Sequence, residues 1–189
     1  MKGMILFFSF FLCLLGVTLP CHGEIIDVTV SWNPQECDAS CSQFLEKVLT
    51  QIPQVRKVEI NQGTGYADLY WRPLKNFTID MVRYPMHRLG LKMQGIGVEA
   101  KGTISHSGNR YFLHSLGDST ILELLSPTQT STSKMVIEAN PANHIVREPL
   151  KSQLLEFEKN EQLVTAKGNI FMPQRSELKL VVDSVKLAQ

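Results

Sequence analysis

Cys37 and Cys41 stand four positions apart in the stretch Glu36-Cys37-Asp38-Ala39-Ser40-Cys41. Sulfur at that spacing supports three chemistries. As thiolates, the pair is a soft two-coordinate site suited to Cu(I), and less suited to Zn(II), which needs two further ligands. Oxidised, the pair closes a small disulfide ring. Kept labile, it exchanges electrons with other thiols. A loop entering a helix N-terminus favours thiolate through unpaired backbone N–H groups, whereas Glu36 and Asp38 oppose it. His87 and His106 qualify as further ligands by residue type only. Met86, Met93, Met135 and Met172 suggest a copper relay, but methionine on an apolar stripe reads as core.

Those cysteines need elements to hold them. Residues 24–32 alternate, with Ile26, Val28, Val30 and Trp32 on one face, as in a half-buried strand. Asn33-Pro34 breaks the strand. Asp38 or Ser40 then caps a helix reaching about Ile52, whose apolar stripe is Phe44, Leu45, Val48, Leu49 and Ile52. Pro53 ends it. A second strand over 55–59, a loop at 61–65 and a third strand over 66–72 make a hairpin. Thr78 reads as the N-cap of a second helix, with Phe77 stapled onto Val82, Pro85 inside it and Gly90 ending it. A fourth strand starts at Lys92. The order β-α-β-β-α-β predicts a ferredoxin-like domain over 24–95.

From Cys41 onward this half resembles the heavy-metal-associated family of copper chaperones and metal-pump N-terminal domains. The residues that carry the resemblance are Cys41, Leu45, Val48, Leu49, Ile52, Pro53, Val55, Val58 and Ile60, then Ala67, Leu69, Trp71 and Pro73, then Leu89-Gly90-Leu91. It covers about residues 26–95. The family's pair is Cys-x-x-Cys; here the spacing is one residue longer, and Gln35 stands where the family has Met. The resemblance implies a metal site at Cys37 and Cys41 that holds Cu(I) and passes it to a protein partner.

After about Gly95 the pattern is nearly all strand. Strands are expected over 98–106, 110–115, 120–125 and 135–139, a helical link over 149–159, and closing strands over 163–171 and 178–187. Gly102 and Gly168 fall inside strands, where barrels bend. The expectation for 96–189 is a small OB-like β-barrel, with an open sandwich as the runner-up. The fold class is thus α+β.

The N-terminus differs in kind. Lys2 precedes an uncharged apolar run over 4–19, followed by Pro20-Cys21-His22-Gly23. That is the layout of a signal peptide over 1–23, cleaved after Gly23 for export to the periplasm or outside the cell. The run is short for a spanning helix, so membrane contact is expected only through this segment if it stays uncleaved. Export leaves Cys37 and Cys41 as the only cysteines.

Charge excludes one class of partner. Lys plus Arg number 19 against 18 Asp plus Glu, so the chain lacks the basic excess with which proteins grip nucleic acid. No Gly-x-Ser-x-Gly elbow or phosphate-binding glycine loop occurs. Asn76-Phe77-Thr78 fits a glycosylation acceptor, although Thr78 as a cap explains it as well. The expected function is therefore non-enzymatic: an exported protein that sequesters or passes a soft metal. The alternatives are an adaptor with a structural Cys37–Cys41 disulfide and a thiol–disulfide redox protein.

Overall fold

The computed structural model describes residues 24–72, 75–128, 141–171, 175 and 177–188. The expected signal segment and the strand over 135–139 lie outside the described residues, as do Pro73, Met135 and Met172.

The chain is α+β. Its first half runs β1 (Ile25–Trp32), a short 3-10 turn (Pro34–Glu36), α1 (Ala39–Thr50), β2 (Val55–Asn61), β3 (Tyr66–Trp71) and α2 (Asp80–Arg88). Then come β4 (Met93–Ser107), β5 (Arg110–Ser115), β6 (Ile121–Leu125), α3 (Leu150–Lys159), β7 (Leu163–Ile170) and β8 (Lys179–Leu187). A single sheet holds every strand among the described residues, in the order β2-β3-β1-β4-β5-β6-β8-β7. A further β4–β7 pairing closes its last five strands into a barrel. That closure removes the barrel's edges and excludes the open sandwich.

β1 sits between β3 and β4, antiparallel to both. Its register with β4 shifts between Ile25 and Asp27, a bulge that changes which side chains face inward. Ile25, not Ile26, is therefore fully buried, with Val28, Val30 and Trp32. α1 and α2 touch each other, so both cover the same face of the sheet. α1 buries Leu45 and Leu49, and Ile52 follows it inside. Phe44 departs from the expected stripe: it is 53% exposed.

α2 begins differently from the expectation. Its first turn is opened by backbone carbonyls, with Met81 N–H donating to Thr78 O and Arg83 N–H to Ile79 O, and no side chain caps it. Phe77 is buried edge-on to Trp71 at 5.3 Å, and its N–H donates to Thr120 Oγ1 at 2.8 Å. Pro85 lies within the helix as read. The other end follows the glycine rule: Gly90 has φ of 74°, its N–H donates to His87 O, and Leu91 N–H donates to Met86 O.

β4 is the largest departure from the sequence reading. It runs unbroken for 15 residues, so the expected boundary at 95/96 falls inside one strand. Its inward side chains alternate without a phase change, through Ile96, Val98, Ala100 and Ile104. The first part pairs with β1 and the last with β5, while β7 runs alongside Gly97–Thr103. One cluster of buried side chains spans both halves, from Ile25 through Val185, and Leu125, Phe171 and Val181 form a small second one. α3 contributes Leu154 and Phe157 to the larger one.

Two strand glycines let backbones cross closely in the barrel. A Cβ at Gly102 would lie 2.2 Å from His114 O, and one at Gly168 would lie 2.1 Å from Val181 O. No other residue fits either place without moving backbone.

Candidate functional site

The cysteine segment is built by short-range polar bonds. Asn33 Oδ1 accepts from Gln35 N–H at 3.2 Å, and Asn33 O accepts from Glu36 N–H at 2.9 Å, which folds the 3-10 turn after β1. Asp38 caps α1: its Oδ1 accepts from Cys41 N–H and from Ser40 Oγ, each at 2.8 Å. The Cys41 N–H and the Ser40 hydroxyl hold the Asp38 carboxyl below the usual aspartate range. Gly65 supports the segment from outside. Its carbonyl accepts from Trp32 N–H at 2.8 Å, and it lies too close to Trp32 O and Pro34 to carry a Cβ.

This scaffold brings Cys37 and Cys41 together. Their sulfurs are bonded at 2.03 Å, with Cα atoms 5.2 Å apart. Cys37 is 1% exposed and belongs to the core cluster, while Cys41 is half-buried against it. The Ser42 hydroxyl lies 3.7 Å from Cys37 Sγ, where only the hydroxyl can donate once the sulfur is bonded. A disulfide carries no thiolate and offers a soft cation no ligand.

The expected auxiliary ligands go elsewhere. His87 is in the last turn of α2. His106 is at the far end of β4, where Glu158 of α3 accepts from its ring Nδ1 at 2.5 Å and from its backbone N–H at 3.1 Å. Its ring stacks on Tyr111 at 5.7 Å. Met86 is fully buried core. Among the described residues, no group of three His, Cys, Asp or Glu side chains is placed to hold a metal ion. No helix among them is long and apolar enough to cross a membrane.

A second site went unread in the sequence. The sheet face opposite α1 and α2 carries a groove of about 360 Å3 where β1 and β4 run beside β7 and β8. Among the described residues, the carboxylates Asp27, Glu99 and Asp183 line it with the ammonium of Lys167. Lys167 Nζ lies 3.5 Å from Glu99 Oε2, and Asn169 Nδ2 donates to Asp183 Oδ2 at 3.3 Å. Asp27 Oδ1 is buried without a hydrogen-bond partner. Desolvation first, then the neighbouring Asp68 charge, pushes the Asp27 carboxyl above the usual aspartate range. Desolvation does the same to Asp183. Alternation in β1 already put Asp27, Thr29 and Ser31 on the face away from the core, so half of this wall was legible. β7 and β8 come from more than a hundred residues later, and nothing local announces that they sit beside it.

No family model, curated protein or solved structure matches this chain. Its own geometry therefore carries the functional reading.

Proposed function

We propose that the chain is a non-enzymatic binding module of an exported protein, in which Cys37–Cys41 is a structural clasp. The observation that carries this reading is the burial of Cys37 in the core with its sulfur bonded to Cys41. A metal-transfer site needs both sulfurs reduced and reachable, because the ion passes between proteins by ligand exchange. Here one sulfur is inside the molecule and both are already paired. In the loop-entropy account a ring this small stabilises the fold by about 2 kcal/mol. The clasp ties the end of the 3-10 turn to the first turn of α1, and so fixes how the chain enters that helix.

The two halves suit such a role. We infer a ferredoxin-like arrangement for the first. The antiparallel order β2-β3-β1-β4 with two helices on one face supports it. The second is read as an OB-type barrel. The circuit β4-β5-β6-β8-β7-β4, the parallel β6–β8 pair and α3 in the crossover between β6 and β7 support that. The resemblance to heavy-metal-associated proteins is then one of scaffold, carried by apolar rhythm. Export fits a disulfide, since oxidising compartments preserve it.

The deciding measurement is the thiol state and Cu(I) capacity of the exported protein. Intact-mass analysis after alkylation without reductant is expected to find neither thiol free. In competition with a colorimetric Cu(I) chelator the protein is expected to take no ion. Two alkylated cysteines, and one Cu(I) per chain that disappears in Cys37→Ala/Cys41→Ala, would replace this reading with metal transfer. A disulfide that equilibrates readily with glutathione would replace it with thiol redox chemistry.

A further inference from the structure

We propose that the groove between α1 and α2 seats one large apolar side chain of an acidic segment from a protein partner, whose carboxylates meet Lys47 and Arg88. The proposal rests on the binding-module reading and gives it a location.

Helical spacing is the first argument. Phe44, Lys47 and Val48 share one side of α1, and Pro85, Arg88 and Leu89 share one side of α2 and its cap. The two sets line a groove of about 270 Å3 between the helices. Its apolar wall reaches solvent. Phe44 stands beside the buried stripe of Leu45 and Leu49 and is 53% exposed, and Tyr84, next to Pro85, is 64% exposed. Val48, Pro85 and Leu89 are half-buried. Covering aromatic area that lies in water is favourable, and aromatic and Arg side chains anchor interfaces.

Charge is the second argument, and it selects the partner. Lys47 and Arg88 are exposed, and among the described residues no carboxylate lines the groove with them. Neither cation is in an ion pair among the described residues, whereas Arg83 of α2 is paired with Asp80. Arg88 lies instead over the Tyr84 ring, 6.0 Å from its centroid. Both cations fall in the last turn of a helix, where the free carbonyls carry about half a negative charge. Two whole charges against about two halves leave the groove positive, so carboxylates are its complement.

Pro85 is the third argument. It lies in the interior of α2, where a proline donates no backbone hydrogen bond and crowds the turn before it. The helix is kept there against its own propensity, and what it gains is a rigid ring in the groove wall. Residues that break a local rule in this way concentrate at functional sites.

The size favours a side chain over a small molecule. About 270 Å3 falls below the roughly 300–1,000 Å3 of small-molecule sites. It suits one Phe, Leu or Trp side chain, with the carboxylates of flanking residues reaching the two exposed cations. The seat is concave, so a side chain fills it, whereas a bilayer surface offers nothing to enter it.

The test is fluorescence anisotropy with a labelled short peptide carrying one Phe between runs of Glu, at about 50 mM salt so that screening does not hide the interaction. The same peptide with Gln for Glu, or with Ala for its Phe, is expected to bind at least tenfold more weakly. Phe44→Ser keeps every charge and is expected to weaken binding at least tenfold while the protein still unfolds cooperatively. Lys47→Glu/Arg88→Glu is expected to reject the acidic peptide and to prefer its Lys-for-Glu counterpart. If the variants do not fold, amide shifts of the unaltered protein on peptide addition decide. Shifts centred on 44–51 and 84–89 support the proposal, and shifts elsewhere overturn it. Absent binding, equal affinity in a folded Phe44→Ser, or an acidic preference kept by the charge-reversed variant also overturns it. A dimer in sedimentation that Phe44→Ser disperses would give the groove to a second copy instead. Binding to phosphatidylglycerol vesicles that Phe44→Ser abolishes would give it to a membrane surface. The thiol and Cu(I) measurements do not involve this groove, so its failure is distinguishable from failure of the clasp.

Discussion

Asp27 is held in a place that disfavours its charge, and the sign of its pH effect follows. Burial and Asp68 raise its folded pKa above the unfolded value. Between those values the folded chain keeps a proton that the unfolded chain releases, so stability falls as pH rises through that window. Below the ordinary aspartate range both states are protonated and the penalty is gone. Asp27→Asn is therefore expected to raise the urea midpoint at pH 7 and to match the unaltered protein near about pH 3. A variant less stable at pH 7 would mean that the carboxylate holds the fold in some other way. The glycines make a paired prediction at the same scale. Gly168→Ala is expected to lose about 1–3 kcal/mol, because its Cβ would strike the Val181 carbonyl and the β7–β8 backbones must part. Gly97→Ala is expected to be neutral or slightly stabilising in the same thermal melts, since its Cβ has room.

Among the elements, α1 concentrates the most local determinants. Its N-terminus is held by the Asp38 carboxylate and by the Cys37–Cys41 bond. The folded Asp38 pKa is lowered, so its contribution is full above the unfolded value and is lost as pH falls through the folded one. Asp38→Ala is expected to melt a few degrees lower at pH 7, with the gap closing in acid. Cys37→Ser/Cys41→Ser is expected to lose about 2 kcal/mol in equilibrium unfolding with its secondary structure retained. An undiminished midpoint would show the clasp to be dispensable. In α2 the stop rests on Gly90 in the left-handed region, so Gly90→Ala is expected to cost about 1 kcal/mol by denaturant titration.

Across the whole molecule, β4 makes two patterns into one body. Its first part completes the sheet under α1 and α2, and its remainder belongs to the barrel. With one core cluster spanning both, the halves are expected to unfold together. Trp32 and Trp71 report on the first half, whereas far-UV circular dichroism reports on both. Coincident thermal transitions by the two probes are expected, and a separate earlier or later fluorescence transition would show two independent units.

Local sequence decided the elements. Alternation placed β1 and β3, the cap Asp38 and Pro53 bracketed α1, Gly90 stopped α2, and Gly102 and Gly168 marked the tight crossings. These signals are legible because each depends on neighbours within a turn or along one strand. The pairing of Cys37 with Cys41 stayed open among three chemistries, since spacing brings two sulfurs near each other without saying whether core closes over them. The bulge at Ile25 and the exposure of Phe44 also escaped, because register and burial depend on the partner strand and on where the neighbouring helix lies. The β4–β7 closure and the groove beside Asp27 join residues far apart in the chain. Their charges and glycines acquire meaning only when hydrogen bonding along β4 sets them side by side.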